Sequence, residues 1–262
     1  MTGIRQNFAT AEKLSDLSMR AGPLFAEAEQ DSFDLGTDWF DLLIQHGLPD
    51  PSSVSFAVGS RPDGVCCILP LMHEGRRLRS LSTYYTSQFR PLMRADVSRD
   101  DLASLLEDAR LEFGAISLML RAMDPSHSSF ALTLAALRQA GFRPFPFVDF
   151  ANWYLPTDGV PYAAYFKRLS SRVRNTVRRR ERRLIEQAGG RVRILSGTQD
   201  AELAVEAWGA IYSQSWKKPE PFPDFVPELI RLSGRRGWLR FGLAELGDAP
   251  IAAQIWIVNG GR

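Results

Sequence analysis

The stretch Val54-Ser-Phe-Ala-Val-Gly-Ser-Arg-Pro-Asp-Gly-Val-Cys-Cys-Ile-Leu-Pro-Leu71 decides the fold class. It reads as two apolar strands, residues 54–58 and 65–71, joined by a turn through Arg61-Pro-Asp-Gly64, because Pro and Gly set the backbone angles that a tight reversal requires. Upstream, residues 37–46 read as a helix that Thr37 caps, with Phe40, Leu43 and Ile44 on one face. Gly47 stops that helix, and Pro49 and Pro51 keep the following chain extended. Residues 1–32 lack clear strand signals and hold one helical stretch around 11–19.

Downstream, residues 99–113 form a second helix, with Ser98 as N-cap, Asp101 three residues on, and Val97 placed to staple against Leu102. Residues 115–123 read as an apolar strand. Ser126 then caps a helix over 127–140 that ends at Gly141, and the aromatic-rich residues 143–155 read as a further strand. Strand, helix, strand, helix and strand after an antiparallel opening describe a mixed α/β domain closing near residue 155.

The second half restarts at Pro156-Thr-Asp-Gly159 with a long helix from Tyr162 to about Ala188. Tyr162, Phe166, Leu169, Val173, Val177 and Leu184 recur on it as an apolar stripe. A strand over 191–196, a helix over 201–215, a proline-rich loop over 219–227 and a helix over 225–233 follow. Residues 237–246 and 251–258 are strands joined by a Gly247-Asp248 turn. Asn259-Gly-Gly-Arg262 then signals a hairpin with no return strand, which predicts an unpaired strand edge and a C-terminal truncation of a longer protein.

With 262 residues, 45% of them hydrophobic and 24% charged, the composition is globular and excludes disorder and collagen-like repetition. No apolar run approaches the ~20 residues of a membrane span, and the first residues lack a signal-peptide core. Adjacent Cys66 and Cys67 cannot build a disulfide framework, so the expected compartment is the reducing cytoplasm. The net charge of +2 hides an asymmetry: residues 167–193 hold eleven basic and two acidic side chains, leaving an acidic remainder.

Within that segment Arg174, Arg178 and Arg182 recur at i, i+4 and i+8, beside Arg172, Arg179 and Arg183. Like charges at this spacing repel, so three readings stand: a solvated face, a site for an anionic ligand that Arg can grip bidentately, or contact with an RNA backbone. RNA is disfavoured because the helix's aromatics fall on its apolar stripe. Ser213-Gln-Ser-Trp-Lys-Lys218 places Trp216 and Lys217 at a helix end, either lining a substrate cleft or as a core Trp beside solvated lysines. Arg231-Leu-Ser-Gly-Arg-Arg-Gly237 precedes a strand, whereas a phosphate cradle follows one, so it is read as a helix end and turn. His46, His73 and His127 have no metal-ligand spacing to one another or to the cysteines, so no metal is expected.

Several segments together resemble acyltransferases of the cellulose-biosynthesis CelD/BcsL group, in the GNAT superfamily, and more distantly the FemAB aminoacyltransferases. They are Trp39-Phe-Asp-Leu-Leu43, Leu78-Arg-Ser-Leu-Ser-Thr-Tyr-Tyr-Thr86, Tyr165-Phe-Lys-Arg-Leu-Ser170 and Arg178-Arg-Arg-Glu-Arg-Arg-Leu184. Ser215-Trp-Lys217, Gly237-Trp-Leu-Arg-Phe-Gly-Leu-Ala-Glu-Leu246 and Pro250-Ile-Ala-Ala-Gln-Ile-Trp256 complete the set. The resemblance implies an α/β fold of tandem GNAT-like domains with mixed central sheets. Its divisions are an N-terminal extension over 1–32, a first domain over 33–155, and an incomplete second domain over 156–262.

The resemblance also implies acyl transfer from acyl-CoA to an amine, on a small molecule or glycan precursor, in envelope polysaccharide production. A FemAB-like transferase using aminoacyl-tRNA and a non-catalytic binding module or truncated remnant are the alternatives. DNA is not an expected partner, and tRNA is disfavoured. GNAT proteins seat the CoA pyrophosphate on a Gln/Arg-x-x-Gly-x-Gly/Ala loop at a helix N-terminus, which neither half contains. In the first domain the corresponding segment, 90–101, has no glycine and sets Asp100 and Asp101 at the helix start, so no CoA is expected there. In the second, the cofactor site is expected beyond Arg262.

The substrate-binding candidates are Trp216, Lys217, Gln254, Arg178 and Arg182. On the family pattern, Gln254 lies in the strand beside which substrates react, and its amide serves either the acyl carbonyl or an inward structural bond. The catalytic base is not identified, although Glu245 is within reach in principle.

Overall fold

The computed structural model describes residues 4–10, 13–151 and 159–260. The chain divides into two compact units, Met1–Ala151 and Asn152–Arg262.

In the first unit β1 (Arg5–Thr10) precedes α1 (Leu14–Arg20), α2 (Gly22–Asp31) and α3 (Thr37–His46). The strands β2 (Val54–Arg61), β3 (Gly64–Glu74), β4 (Arg77–Ser80) and β5 (Leu92–Met93) follow, then α4 (Arg99–Glu112), β6 (Ser117–Met119) and α5 (Ser128–Gln139). The sheet order is β1-β2-β3-β4-β6, with β5 pairing β3. All pairs are antiparallel except β4 and β6, which run parallel. The β2–β3 turn closes as the sequence predicts, with Gly64 at φ +127°, a conformation that side chains rarely adopt.

β2 and β3 are apolar almost continuously because both faces of the sheet are covered. On one face Ala57, Leu69 and Leu71 pack with Leu102, Leu105 and Leu106 of α4 and Ala136 of α5. On the other, Phe56 meets Phe40 edge-on at 6.0 Å, and Phe40 meets Phe25 of α2 at 6.2 Å. Buried Asp34 ties the loop after β4 to this layer, accepting bonds from the backbone N–H groups of Ser87 and Gln88.

Four readings of the first half are corrected. Residues 5–10 form an edge strand, where the sequence shows no strand signal, and it pairs along the length of β2. Gly36, not Thr37, stands at the N-cap of α3. His127, not Ser126, caps α5: its Nδ1 accepts from the Ser129 N–H at 3.2 Å, while the Ser126 hydroxyl bonds Asp124. The predicted strand over 143–155 is irregular through 151, with Phe145 and Val148 almost fully exposed, and its remainder lies outside the described residues. Aromatic content there signalled a strand, but among the described residues no neighbouring strand takes up its backbone groups.

The second unit runs α6 (Tyr162–Arg168), α7 (Ser171–Arg182), a π-type turn over Arg183–Gln187, and β7 (Gly190–Leu195). It continues with α8 (Ala201–Ser213), α9 (Phe225–Arg235), β8 (Leu239–Leu246) and β9 (Ala249–Ile257). β7-β8-β9 form an antiparallel sheet. α8 and α9 pack on it, and the core gathers Phe225, Ile230, Leu239, Phe241 and Leu243. The single long helix is corrected: Leu169 turns extended and Ser170 caps a new helix, its hydroxyl accepting from the Val173 N–H. The apolar stripe is not a core stripe either, because neither α6 nor α7 buries a residue.

Candidate functional site

Alternation along β8 sends Leu239, Phe241, Leu243 and Glu245 into the helix-covered face and Arg240, Gly242 and Ala244 to the other. The pairing register extends that outer face in rows. Ile194 of β7 lies opposite Gly242, which lies opposite Gln254 of β9. The flanking rows are Val192–Ala244–Ala252 and Arg240–Trp256. Ile194 is 64% exposed and Trp256 59%, so this face presents apolar side chains to solvent.

Gly242, on the central strand, is the floor of the middle row. A Cβ there would meet nothing nearer than 3.8 Å, the Gln254 carbonyl oxygen and Ile194 Cδ1. A shallow bay therefore opens between an aliphatic side chain and the exposed Gln254 amide.

The inner face closes differently. Past a bulge at Ala244/Glu245, the buried Glu245 carboxylate accepts from Arg191 Nε at 2.7 Å and Nη2 at 3.2 Å. It also accepts from Arg193 Nε at 2.8 Å and Nη2 at 2.9 Å. The two guanidinium groups hold its pKa far below the usual glutamate range, at about 2. A carboxylate held by two guanidiniums is a poor proton acceptor, which counts against it as a general base.

Arg178 and Arg182 lie one turn apart on α7 and line one shallow hollow with Asn175, Ile185 and Glu186. The Arg178 guanidinium also stands over the Phe166 ring at 5.6 Å. Arg174 instead closes the joint between α6 and α7, donating to the Lys167 carbonyl at 2.8 Å and to that of Leu169. Trp216 follows the C-terminus of α8 and is 94% exposed, which corrects the core-Trp reading. Lys217 Nζ lies 5.9 Å from the Tyr212 ring centre, and Tyr212 stacks on Trp208 at 5.0 Å. Arg178 and Arg182 are thus brought together, while Trp216–Lys217 and Gln254 stand on separate elements. Gln254 points to the face opposite the one α8 covers.

Sequence reasoning missed Ile194, Gly242 and Trp256 as neighbours of Gln254, because only strand register aligns them. It also missed Trp208 and Tyr212, whose i, i+4 spacing was the available signal. In the first unit, the start of α4 is filled by its own groups: the Asp101 backbone N–H reaches Ser98 Oγ, and the Asp101 carboxylate takes the Ser98 N–H and Arg61. Among the described residues no three His, Cys, Asp or Glu side chains gather as a metal site. No described helix is long and apolar enough to cross a membrane.

Residues 171–262 match the family model of the acetyltransferase (GNAT) domain. The matched stretch is about a third of the chain and is similar to an acetyltransferase domain of GNAT type. A solved structure, that of a possible acetyltransferase from Clostridium difficile 630, aligns with 59% of this chain and 100% of its own at 12% identity, with a TM-score of 0.35. No curated protein matches the chain.

Proposed function

We propose that the chain is an N-acyltransferase that moves an acyl group from acyl-CoA to an amine on a small molecule or glycan precursor, of the kind used in envelope polysaccharide production. The observation that carries this reading is the Ile194–Gly242–Gln254 row inside the segment that matches the acetyltransferase domain. A thioester arm laid along the strands would cross the open position of Gly242 beside exposed Gln254, which supports Gln254 as the donor to its carbonyl oxygen. Arg178 and Arg182 supply paired cations for an anionic group on donor or acceptor, and exposed Trp216 with Lys217 offers an aromatic and a cation to the acceptor. The acceptor amine attacks the thioester carbon, the thiolate leaves, and the proton passes to solvent. We also propose that the first unit is GNAT-like and takes no CoA at α4, since Ser98 and Asp101 already satisfy that helix start.

Titration calorimetry with S-acetylpantetheine, the thioester arm without the pyrophosphate whose loop neither half contains, tests the reading of this face. Gly242→Val fills the bay, its Cβ coming no nearer than 3.8 Å to the Gln254 carbonyl oxygen, and should abolish binding, and Gln254→Ala should weaken it about tenfold, the loss of roughly one hydrogen bond. Arg178→Ala/Arg182→Ala should weaken binding of acetyl-CoA with Tm unchanged. No binding by the wild-type chain, or equal binding by Gly242→Val, removes the assignment of this face.

A further inference from the structure

We propose that α7 is a peripheral docking helix for an anionic lipid bilayer, lying in the headgroup layer with its valine stripe toward the acyl chains. Six arginines and one glutamate occupy its twelve residues, and none of its side chains is buried. Among the described residues, Arg172, Arg178, Arg179, Arg180 and Arg182 form no ion pair with a carboxylate, whereas Arg191 and Arg193 of the following strand do. A dense row of unneutralised guanidiniums is self-repelling and becomes favourable against a negative surface.

The second observation is the stripe itself. Val173 and Val177, one turn apart, are 44% and 38% exposed. At about 100° per residue, Arg180 flanks this stripe, while Arg178, Arg179 and Arg182, which line one hollow, point away from it and remain open to a soluble ligand. A basic helix with an exposed aliphatic stripe has the chemistry of an interfacial helix. A nucleic acid would engage the arginines but leave the valines without a role, and α7 itself carries no aromatic for base stacking.

The test is sedimentation of the full chain with vesicles of phosphatidylglycerol mixed with phosphatidylcholine, and with phosphatidylcholine alone. Binding should require phosphatidylglycerol and fall steeply with salt. Each neutralised arginine should cost about fivefold, so Arg180→Gln/Arg183→Gln should lose roughly 25-fold. Val173→Asp/Val177→Asp should lose about tenfold or more, with Tm unchanged because both side chains face solvent; Val173→Thr/Val177→Thr repeats the test more gently. Full vesicle affinity in both valine variants, equal binding to phosphatidylcholine, or tighter binding to polyuridylate than to phosphatidylglycerol vesicles would each overturn the proposal.

Discussion

Glu245 sits where the apolar rows of β8 give way to charge, and two β7 arginines grip it from across the strand pair. Its folded-state pKa lies below its unfolded value, so ionisation favours the folded chain. That contribution is complete above the ordinary glutamate range and drains away as pH falls toward about 2. Thermal melts from neutral to acid pH should therefore show a falling Tm. Glu245→Gln should melt lower at pH 7 and flatten the part of the acid slope that this carboxylate supplies; an unchanged slope would remove it as the titrating group. The triad was not legible in sequence, because Arg191 and Glu245 lie 54 residues apart and the intervening charges look equally available. Ser98 and Asp101, within one helical turn, were legible for the converse reason: their partners are local.

At the scale of elements, α4 shows how far local rules reach. Its capping box forms as read, with Ser98 taking the Asp101 N–H and Asp101 taking the Ser98 N–H. Ser98→Ala should cost about 1 kcal/mol in denaturant melts, and no measurable loss would mean that the Arg61–Asp101 pair secures the helix start alone. α7 shows the limit of the same rules. A 3.6-residue period identifies which side chains share a face, and Val173 and Val177 do share one, but period cannot say that anything covers that face. Nor did it weigh Ser170, which bonds the N–H of Val173 and starts a helix inside the apparent run. The strand read over 143–155 failed similarly through 151: β-propensity measures fit to a pleated surface, and among the described residues no strand receives it.

Across the molecule, burial is uneven. β2 and β3 are enclosed on both faces, whereas α7 is exposed along its whole length and β9 pairs only with β8 among the described residues. Amide hydrogen exchange should report this as protection in β2 and β3 at least about a thousandfold greater than in α7, since local opening energies run from near zero to the global value. Comparable protection would mean that α7 is covered in solution. Composition, turn residues and apolar periodicity by themselves determined a mixed α/β chain and most of its helices and hairpins, because each rests on contacts within a few residues. The tertiary structure alone decided that residues 5–10 join the first sheet, that Glu245 is locked in an ion triad, and that Ile194, Gly242 and Gln254 form one row. Those outcomes depend on strand register and on which faces meet, and register is fixed by partners far along the chain.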